Sequence, residues 1–487
     1  MYPLYVHRVI RRGFDTMAFE MLASVFGSLT NLFSTQKPSS LPEDEQAQDS
    51  EALTFDHDHK SALSLTNNAT ETNPPLLALK NLVETDGAGT WPPRATHGYT
   101  WPEALQLYHE IYLAAAPYLS TEDVSTDDEI NRSRVQSFRD RIRLVLKEKI
   151  DLHAVQTILA STETNNHTDE GGFDAAAYNG FACCISNLRH AYRWGLIPVV
   201  RVAQDEKIID FPDELVLPWG YISRRFGTTS QGGNLMTNYL CNFDEGGEMI
   251  YQVNPGLREE VRRAEYEFAF MLVRIERVAI PIYTEITHAI THYSTGNKPA
   301  CLSSLTRITI LFPTPLQIFY KTLVDNIISP EVWMHYIQGP TGWGAGEMVN
   351  GEYVEYDGLS GSHVPLFRVV DAFLGIGAYF DEGKEGLYIP RSQRKFCERV
   401  REGCFCQRAE ENGDTEIGRV LEGIVRQLKT FRAAHRSRIH KYLSAPAPER
   451  LIMTAGKSVL ESEEIPEIET AIKHLDGILA KRISETK

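Results

Sequence analysis

Apolar residues recur at intervals of three and four along most of the chain after residue 75, which is the spacing of one face of an α-helix. The longest run covers residues 256–293, and the last covers residues 417–443. Between them, residues 302–327 form another run, which Pro313 and Pro315 are expected to interrupt. The stripe of the longest run consists of Val261, Ala264, Phe268, Leu272, Ile275, Ala279 and Ile282, with Pro281 expected to kink it. Strand patterns are scarce, so the sequence predicts an all-α fold.

Three parts are expected along the chain. Residues 1–75 form a largely disordered N-terminal extension, because residues 34–75 are rich in polar side chains and poor in large apolar ones. Residues 1–33 carry Arg8, Arg11 and Arg12 and no acid before Asp15, which fits either an organelle-targeting peptide or an amphipathic extension. Residues 76–250 form a smaller helical domain, and residues 251–487 a larger helical bundle. Residues 210–254, broken by proline and glycine, are expected to be irregular.

Charge and cysteine content exclude several classes of function. The formal net charge is −16, which argues against a nucleic-acid partner, because phosphate binding needs clustered Lys and Arg. No run reaches the roughly 18–20 apolar residues that span a bilayer. The seven cysteines are odd in number and few, and Cys397, Cys404 and Cys406 lack a second pair at zinc spacing, so we expect reduced thiols. We expect a monomer with a cytoplasmic location.

His435 lies on the apolar stripe of the last helical run, between Phe431 and Ile439. A histidine in such a place is more often a core residue than a metal ligand, although a haem ligand needs this same placement. Arg432, one turn earlier, fits either a partner for a buried carboxylate or a solvated charge. Periodicity alone leaves these alternatives open.

A second histidine pair, His288 and His292, shares a helix face with Glu285. Ala289 occupies the position at which a zinc protease motif has its glutamate, and matching ligands on other helices are missing from the sequence. A polar helix end is therefore the preferred interpretation. The glycine-rich stretches at 342–344 and 358–361 have no GK[ST] after them and do not predict a phosphate-binding loop.

Five motifs in order over residues 190–443 resemble the indoleamine 2,3-dioxygenase family. They are HAYRWG at 190–195, PW at 218–219 followed by IS at 222–223 and NF at 242–243, GLSGSH at 358–363 with FRVVD at 367–371, YIP at 388–390 with Arg394 and Phe396, and FRAAH at 431–435 with KY at 441–442. Each motif is short, and their common order carries the resemblance. The resemblance implies a b-type haem in the larger domain, with His435 as the axial ligand of the iron.

Further roles follow from the same resemblance. Arg432 and Asp371 would form an ion pair that braces the proximal helix, and Phe367, at the start of the FRVVD segment, would lie beside the haem. On the distal side, Ser360 and Gly361 would line the pocket near a propionate. Phe268, with Leu272 one turn later, would pack on the indole ring of a small substrate that reacts with O2. Plain core packing explains Phe268 and Leu272 equally well.

Two departures from the family bear on the substrate. Met334 stands where the family has the arginine that binds the tryptophan carboxylate, and a thioether cannot replace that charge-assisted contact. Leu272 replaces a small polar residue, and a glycine-threonine loop survives only as residues 454–458. The resemblance predicts cleavage of the indole 2,3 bond of L-tryptophan to N-formylkynurenine. The alternatives are a haem enzyme for an indole without a carboxylate, a haem or indole binder without turnover, and a haem-free helical scaffold.

Overall fold

The computed structural model describes residues 73–164, 173–378, 384–443, 453–454, 457–458 and 468–486. The predicted disordered extension, residues 1–75, with its targeting or amphipathic segment, lies outside these ranges except for residues 73–75. At these three residues the prediction is wrong, because Asn73 caps a helix that begins at Pro74. The described chain is mostly helical, which confirms the all-α prediction. None of its helices is long and apolar enough to cross a bilayer. The division into domains 76–250 and 251–487 stays a prediction.

The first half of the described chain contains seven α-helices and several short π or 3₁₀ turns. The α-helices are α1 (Pro74–Asn81), α2 (Glu103–Ala115), α3 (Asp128–Lys149), α4 (Leu152–Thr164), α5 (Ala175–Trp194), α6 (Arg201–Gln204) and α7 (Asp213–Phe226). The turns are Leu82–Asp86, Gly98–Thr100, Ala116–Tyr118 and Met236–Leu240.

The second half contains eleven described α-helices and two small hairpins. The α-helices are α8 (Glu259–Ser294), α9 (Lys298–Leu311), α10 (Pro313–Thr322), α11 (Pro330–Val332), α12 (Gly339–Thr341), α13 (Pro365–Phe373), α14 (Glu385–Tyr388), α15 (Arg391–Glu402), α16 (Cys406–Glu411), α17 (Thr415–Leu443) and α18 (Ile468–Glu485). A π-helix, Trp333–Gln338, joins α11 to α12, and a 3₁₀ turn, Gly361–His363, precedes α13. The hairpins pair β1 (Ala345–Val349) with β2 (Glu352–Tyr356), and β3 (Met453–Thr454) with β4 (Lys457–Ser458), both antiparallel.

The three long apolar runs form helices as predicted. The run from residue 256 becomes α8, which continues through Pro281 without ending there. The interrupted run becomes α9 and α10, and Pro313 opens α10, where its missing N–H costs nothing. The last run becomes α17.

The prediction of an irregular stretch over residues 210–254 is wrong for α7. Pro218 lies inside this helix and cannot donate to the carbonyl of Glu214, four residues earlier. The Tyr108 hydroxyl on α2 donates to that carbonyl instead, over 2.8 Å. A contact from a distant helix therefore satisfies the group that the proline leaves without a donor.

Two buried apolar clusters hold the described elements together. The first joins α2, α3, α5 and α7 with the β1–β2 hairpin, and the second joins α8, α9, α13, α15 and α17. Helix α8 belongs to both, since Val261 and Ala264 lie in the first cluster and residues from Ala269 onward lie in the second. Phe268, between them, packs against both clusters.

Candidate functional site

Helix α17 presents His435 at the end of its buried face. Apolar residues at helical spacing pack this face into the second cluster, and the last before His435 is Phe431. The ring of His435 lies 5.1 Å from that of Phe319 on α10, edge to face, measured between centroids. The Phe431 ring is 6.1 Å away and nearly parallel to it. The predicted ligand is therefore surrounded by phenylalanine rings from two helices.

Its surroundings keep His435 neutral. Burial, and to a smaller extent the nearby positive charge of Arg438, lower the pKa of the imidazole from 6.5 to about 4. Within the part of the chain that the structure describes, neither ring nitrogen has a hydrogen-bond partner. The side chain is partly exposed, so a ring nitrogen has access to a ligand. A neutral imidazole with a free lone pair is the form that binds a metal.

Phe367 on α13 extends the aromatic wall around His435. Its ring stacks on that of Phe431, with centroids 4.8 Å apart and planes 15° from parallel. Phe367 and Phe319 are both only partly buried, so each leaves some apolar surface uncovered. Flat aromatic surfaces beside a neutral imidazole fit a planar, apolar macrocycle with a central metal. The residues present therefore fit a b-type haem held by His435.

The ion pair between Arg432 and Asp371 is present as predicted. The Arg432 Nη2 atom donates to both carboxylate oxygens of Asp371 over 2.7 Å, and both side chains are largely buried. Arg482 on α18 also donates to Asp371, and Arg432 donates to the Thr486 hydroxyl. One buried carboxylate thus fixes α17, α13 and the C-terminal segment together. That this cluster lies at the edge of a haem stays a prediction.

Sequence reasoning missed Arg482. It lies 111 residues from Asp371, in a segment whose charges are typical of a solvated helix. Arg482 is also paired with Glu485 over 3.0 Å, so the cluster contains two arginines and two carboxylates and is close to neutral.

On the predicted distal side, Phe268 contacts Trp333, with ring centroids 5.0 Å apart. Trp333 in turn lies 6.0 Å from Tyr442, which is on α17 two turns after His435. The aromatic chain from Phe268 therefore reaches the helix that carries the predicted ligand. Leu272, one turn after Phe268, is buried in the second cluster.

The remaining predicted distal residues are less closely connected. Met334 is buried on the π-helix, next to Trp333. Ser360 caps the 3₁₀ turn before α13, where its hydroxyl accepts the Ser362 N–H, and Gly361 is exposed. Contact of Met334, Ser360 or Gly361 with a ligand stays a prediction. The predicted loop at 454–458 is described only at residues 453–454 and 457–458, as the β3–β4 hairpin.

A small cavity adjoins Phe268 on the side of α5. Its volume is about 40 Å³, and polar groups of His190, Asn238 and Glu265 line it. Both carboxylate oxygens of Glu265 already accept hydrogen bonds, from the backbone of Val253 and from Asn254. The cavity has room for one or two water molecules, not for an indole ring.

Glu276 is a second residue that sequence reasoning missed. It is fully buried on α8, one turn after Leu272. Its carboxylate accepts from the Trp91 indole over 2.8 Å, the Tyr283 hydroxyl over 2.7 Å and the Leu366 N–H over 3.0 Å. Leu366 precedes Phe367 on α13, so Glu276 links α8, which carries Phe268, to α13, which carries Phe367. An acid inside an apolar stripe was the signal available in the sequence.

The structure does not support a metal site at Glu285, His288 and His292 on α8. His288 Nδ1 lies 4.0 Å from Glu285, whose carboxylate is bound by Arg307 over 2.8 Å. Across the described ranges, no three His, Cys, Asp or Glu side chains converge as metal ligands.

No protein-family model matches this chain, and no curated protein is significantly similar to it. The family resemblance therefore rests on the five motifs, and the function has to be argued from the site itself.

Proposed function

We propose that this protein is a haem-dependent dioxygenase that cleaves the 2,3 bond of an indole, with His435 as the axial ligand and L-tryptophan as the leading substrate. The observation that carries the proposal is the state of His435. Its imidazole is neutral, partly accessible and bordered by Phe319 and Phe431. A core histidine would normally satisfy its ring nitrogens with hydrogen bonds.

Each part of the site then has a task. A bound b-type haem would supply the binding and activation of O2. Arg432, Asp371 and Arg482 hold α17 and α13 in a fixed relation, so the imidazole stays in one position. Phe268 and Leu272 offer an apolar surface that orients a flat ring and excludes water. Dioxygen insertion into an electron-rich indole requires no protein acid or base, which agrees with the apolar character of these residues.

Met334 favours a second candidate, an indole substrate without a carboxylate. It is buried at the position where the resembling family has its carboxylate-binding arginine. Loss of a charge-assisted contact would weaken tryptophan binding by on the order of 2–3 kcal/mol. An uncharged pocket would impose no such penalty on tryptamine or on indole itself.

The haem assignment is tested by absorbance of the purified protein after loading with haem. Wild type should show a Soret band that shifts on reduction and on addition of CO, and His435→Ala should lose this band or show a weakly bound, altered one. His288→Ala, which changes another partly buried histidine, serves as the control and should match wild type. Absence of the band in wild type, or an identical spectrum in His435→Ala, would refute the assignment.

Substrate choice is tested by following product absorbance under O2 with L-tryptophan and with tryptamine. Turnover of tryptophan supports the leading candidate, and turnover of tryptamine alone supports the second. In the second case, Met334→Arg should raise tryptophan turnover, whereas Met334→Leu, of similar size and no charge, should not. A haem spectrum without turnover of either compound would indicate a binder rather than an enzyme.

A further inference from the structure

Two of the cysteines differ from the others in exposure and position. Cys404 lies in the turn between α15 and α16, and Cys406 is the first residue of α16; both are partly exposed. The other five cysteines, at positions 183, 184, 241, 301 and 397, are buried. A solution oxidant therefore has access to the pair at 404 and 406 before it reaches any of the other thiols.

The backbone brings the two thiols together. Phe405, between them, has φ −122° and ψ 7°, which is a compact conformation. An extended residue would hold the flanking Cα atoms about 7 Å apart, beyond the range of a disulfide, and a compact one shortens this separation. The two side chains are close enough that each is the largest single influence on the acidity of the other. Phe405 itself is buried against Tyr293, with ring centroids 4.3 Å apart, so the turn is anchored.

The two thiols have different acidities. The neighbouring Cys406 side chain and backbone, together with the nearby charges of Arg401 and Arg408, lower the pKa of Cys404 to about 6. The neighbouring Cys404 and burial raise the pKa of Cys406. At pH 7 Cys404 is therefore mostly thiolate, the nucleophilic form, and Cys406 keeps its proton.

The two thiols contact the C-terminal end of α13 and the residues just after it. The Cys406 thiol donates to the carbonyl of Phe373, the last residue of α13, with 3.6 Å between sulfur and oxygen. The Cys404 sulfur lies against Gly375, 3.4 Å from the place that a β-carbon on this glycine would take. Helix α13 carries Phe367 and Asp371, so a change in these thiols acts directly on the end of that helix.

We propose that Cys404 and Cys406 form a redox-active dithiol that hydroperoxides convert into an intrachain disulfide. The Cys404 thiolate attacks the O–O bond of hydrogen peroxide and becomes a sulfenic acid, and the released hydroxide takes up a proton to form water. Cys406 then attacks the Cys404 sulfur, loses its proton and expels a second water molecule. The two thiols lose two electrons in total, which reduce one peroxide to two waters. The Cys406 donor to Phe373 is lost in the process.

Mass spectrometry of the full-length protein tests the proposal without any variant. After reduction, removal of the reductant and addition of one equivalent of hydrogen peroxide, the intact mass should fall by two hydrogen atoms. Peptide mapping should place the new link between Cys404 and Cys406, and a reductant should reverse it. Stable oxygen addition at Cys404 without a link, or a link that involves Cys397, would overturn the proposal.

Variants separate the two roles. Cys406→Ala should stop the link and shift the pH of half-maximal alkylation of Cys404 upward from about 6, because the neighbouring thiol that lowers the pKa of Cys404 is lost. Cys397→Ser changes a buried thiol nearby and should leave both the link and this pH unchanged. Hydrogen exchange at residues 373–377 should be faster in the oxidised wild type than in the reduced protein. Equal exchange would disprove the coupling to α13, and neither readout depends on haem or substrate.

Discussion

Asp86 is a buried carboxylate whose charge the protein only partly compensates. The Ser392 hydroxyl donates to one of its oxygens over 3.0 Å, and among the described residues the other oxygen has no hydrogen-bond partner. Burial raises the pKa of this carboxyl from 3.8 to about 6. The folded state thus binds the proton more tightly than the unfolded chain, so the protonated form favours folding. This advantage is lost as the pH rises from about 4 through about 6.

Asp86→Asn removes this titration. We expect the free energy of unfolding of the variant, relative to wild type, to increase by up to about 3 kcal/mol between pH 4 and pH 7. Urea denaturation at a series of pH values measures the difference, and any constant offset from the amide does not affect its slope. Ser392→Ala removes a hydrogen bond that lowers the pKa of Asp86. In this background, the increase in relative stability caused by Asp86→Asn should extend to higher pH. A difference that does not vary with pH would contradict the prediction.

His435 illustrates how far a single residue can be interpreted from sequence. Periodicity places it on the apolar face of α17, and the structure agrees, because its ring packs against Phe319 and Phe431. Its neutrality depends on burial against Phe319, which is 116 residues away, and on Arg438 on its own helix. The first of these is a tertiary contact that spacing along the chain cannot indicate. The motifs shared with the family predicted His435 as the haem ligand. The structure adds its aromatic surroundings and its charge state.

Glu276 connects two helices that carry predicted site residues, α8 and α13. The three groups that donate to its carboxylate cannot bond to water instead, because Trp91, Tyr283 and Leu366 are all buried. Glu276→Ala leaves these three donors without an acceptor and should lower the free energy of unfolding by about 3–5 kcal/mol. Glu276→Gln keeps an acceptor oxygen and should cost less. Chemical denaturation measures both variants.

A control on the same helix separates this effect from a change in helix propensity. Glu260→Ala removes an exposed carboxylate from the first turn of α8 and should change the free energy of unfolding by about 0.5 kcal/mol or less. If Glu276→Ala were no more destabilising than Glu260→Ala, the carboxylate would not be holding α8 to α13.

The long amphipathic helices were predictable because their stripes repeat over several turns, whereas short elements depend on contacts that the sequence hides. Helix α7 was missed because Pro218 indicates a break in a helix. The Tyr108 hydroxyl satisfies the carbonyl that the proline leaves without a donor, so the helix continues. The β1–β2 hairpin was missed inside a glycine-rich stretch. Its turn is Asn350–Gly351, both with positive φ, which is the strongest short signal for a hairpin and was present in the sequence.

The two apolar clusters are interleaved along the chain. The first cluster is built mainly from residues before 265 but also contains Trp343 and its neighbours. The second is built mainly from residues after 268 but also contains Leu79, Trp91 and Leu240. Neither cluster can be cut out as one continuous segment, and α8 runs through both. Loss of one cluster therefore removes packing partners from the other.

This arrangement predicts that the described part of the chain unfolds in one transition. Leu105→Ala in the first cluster and Leu305→Ala in the second each remove a fully buried side chain, and each should cost about 2–5 kcal/mol. Both should lower the midpoint of the same transition, whether it is followed by tryptophan fluorescence or by far-ultraviolet circular dichroism. Two separate transitions, each moved by only one variant, would mean that the clusters fold independently. In that case the predicted domain boundary at residue 250 would separate two independently folding units. Helix α8 would then connect two cores and would not be part of a shared one.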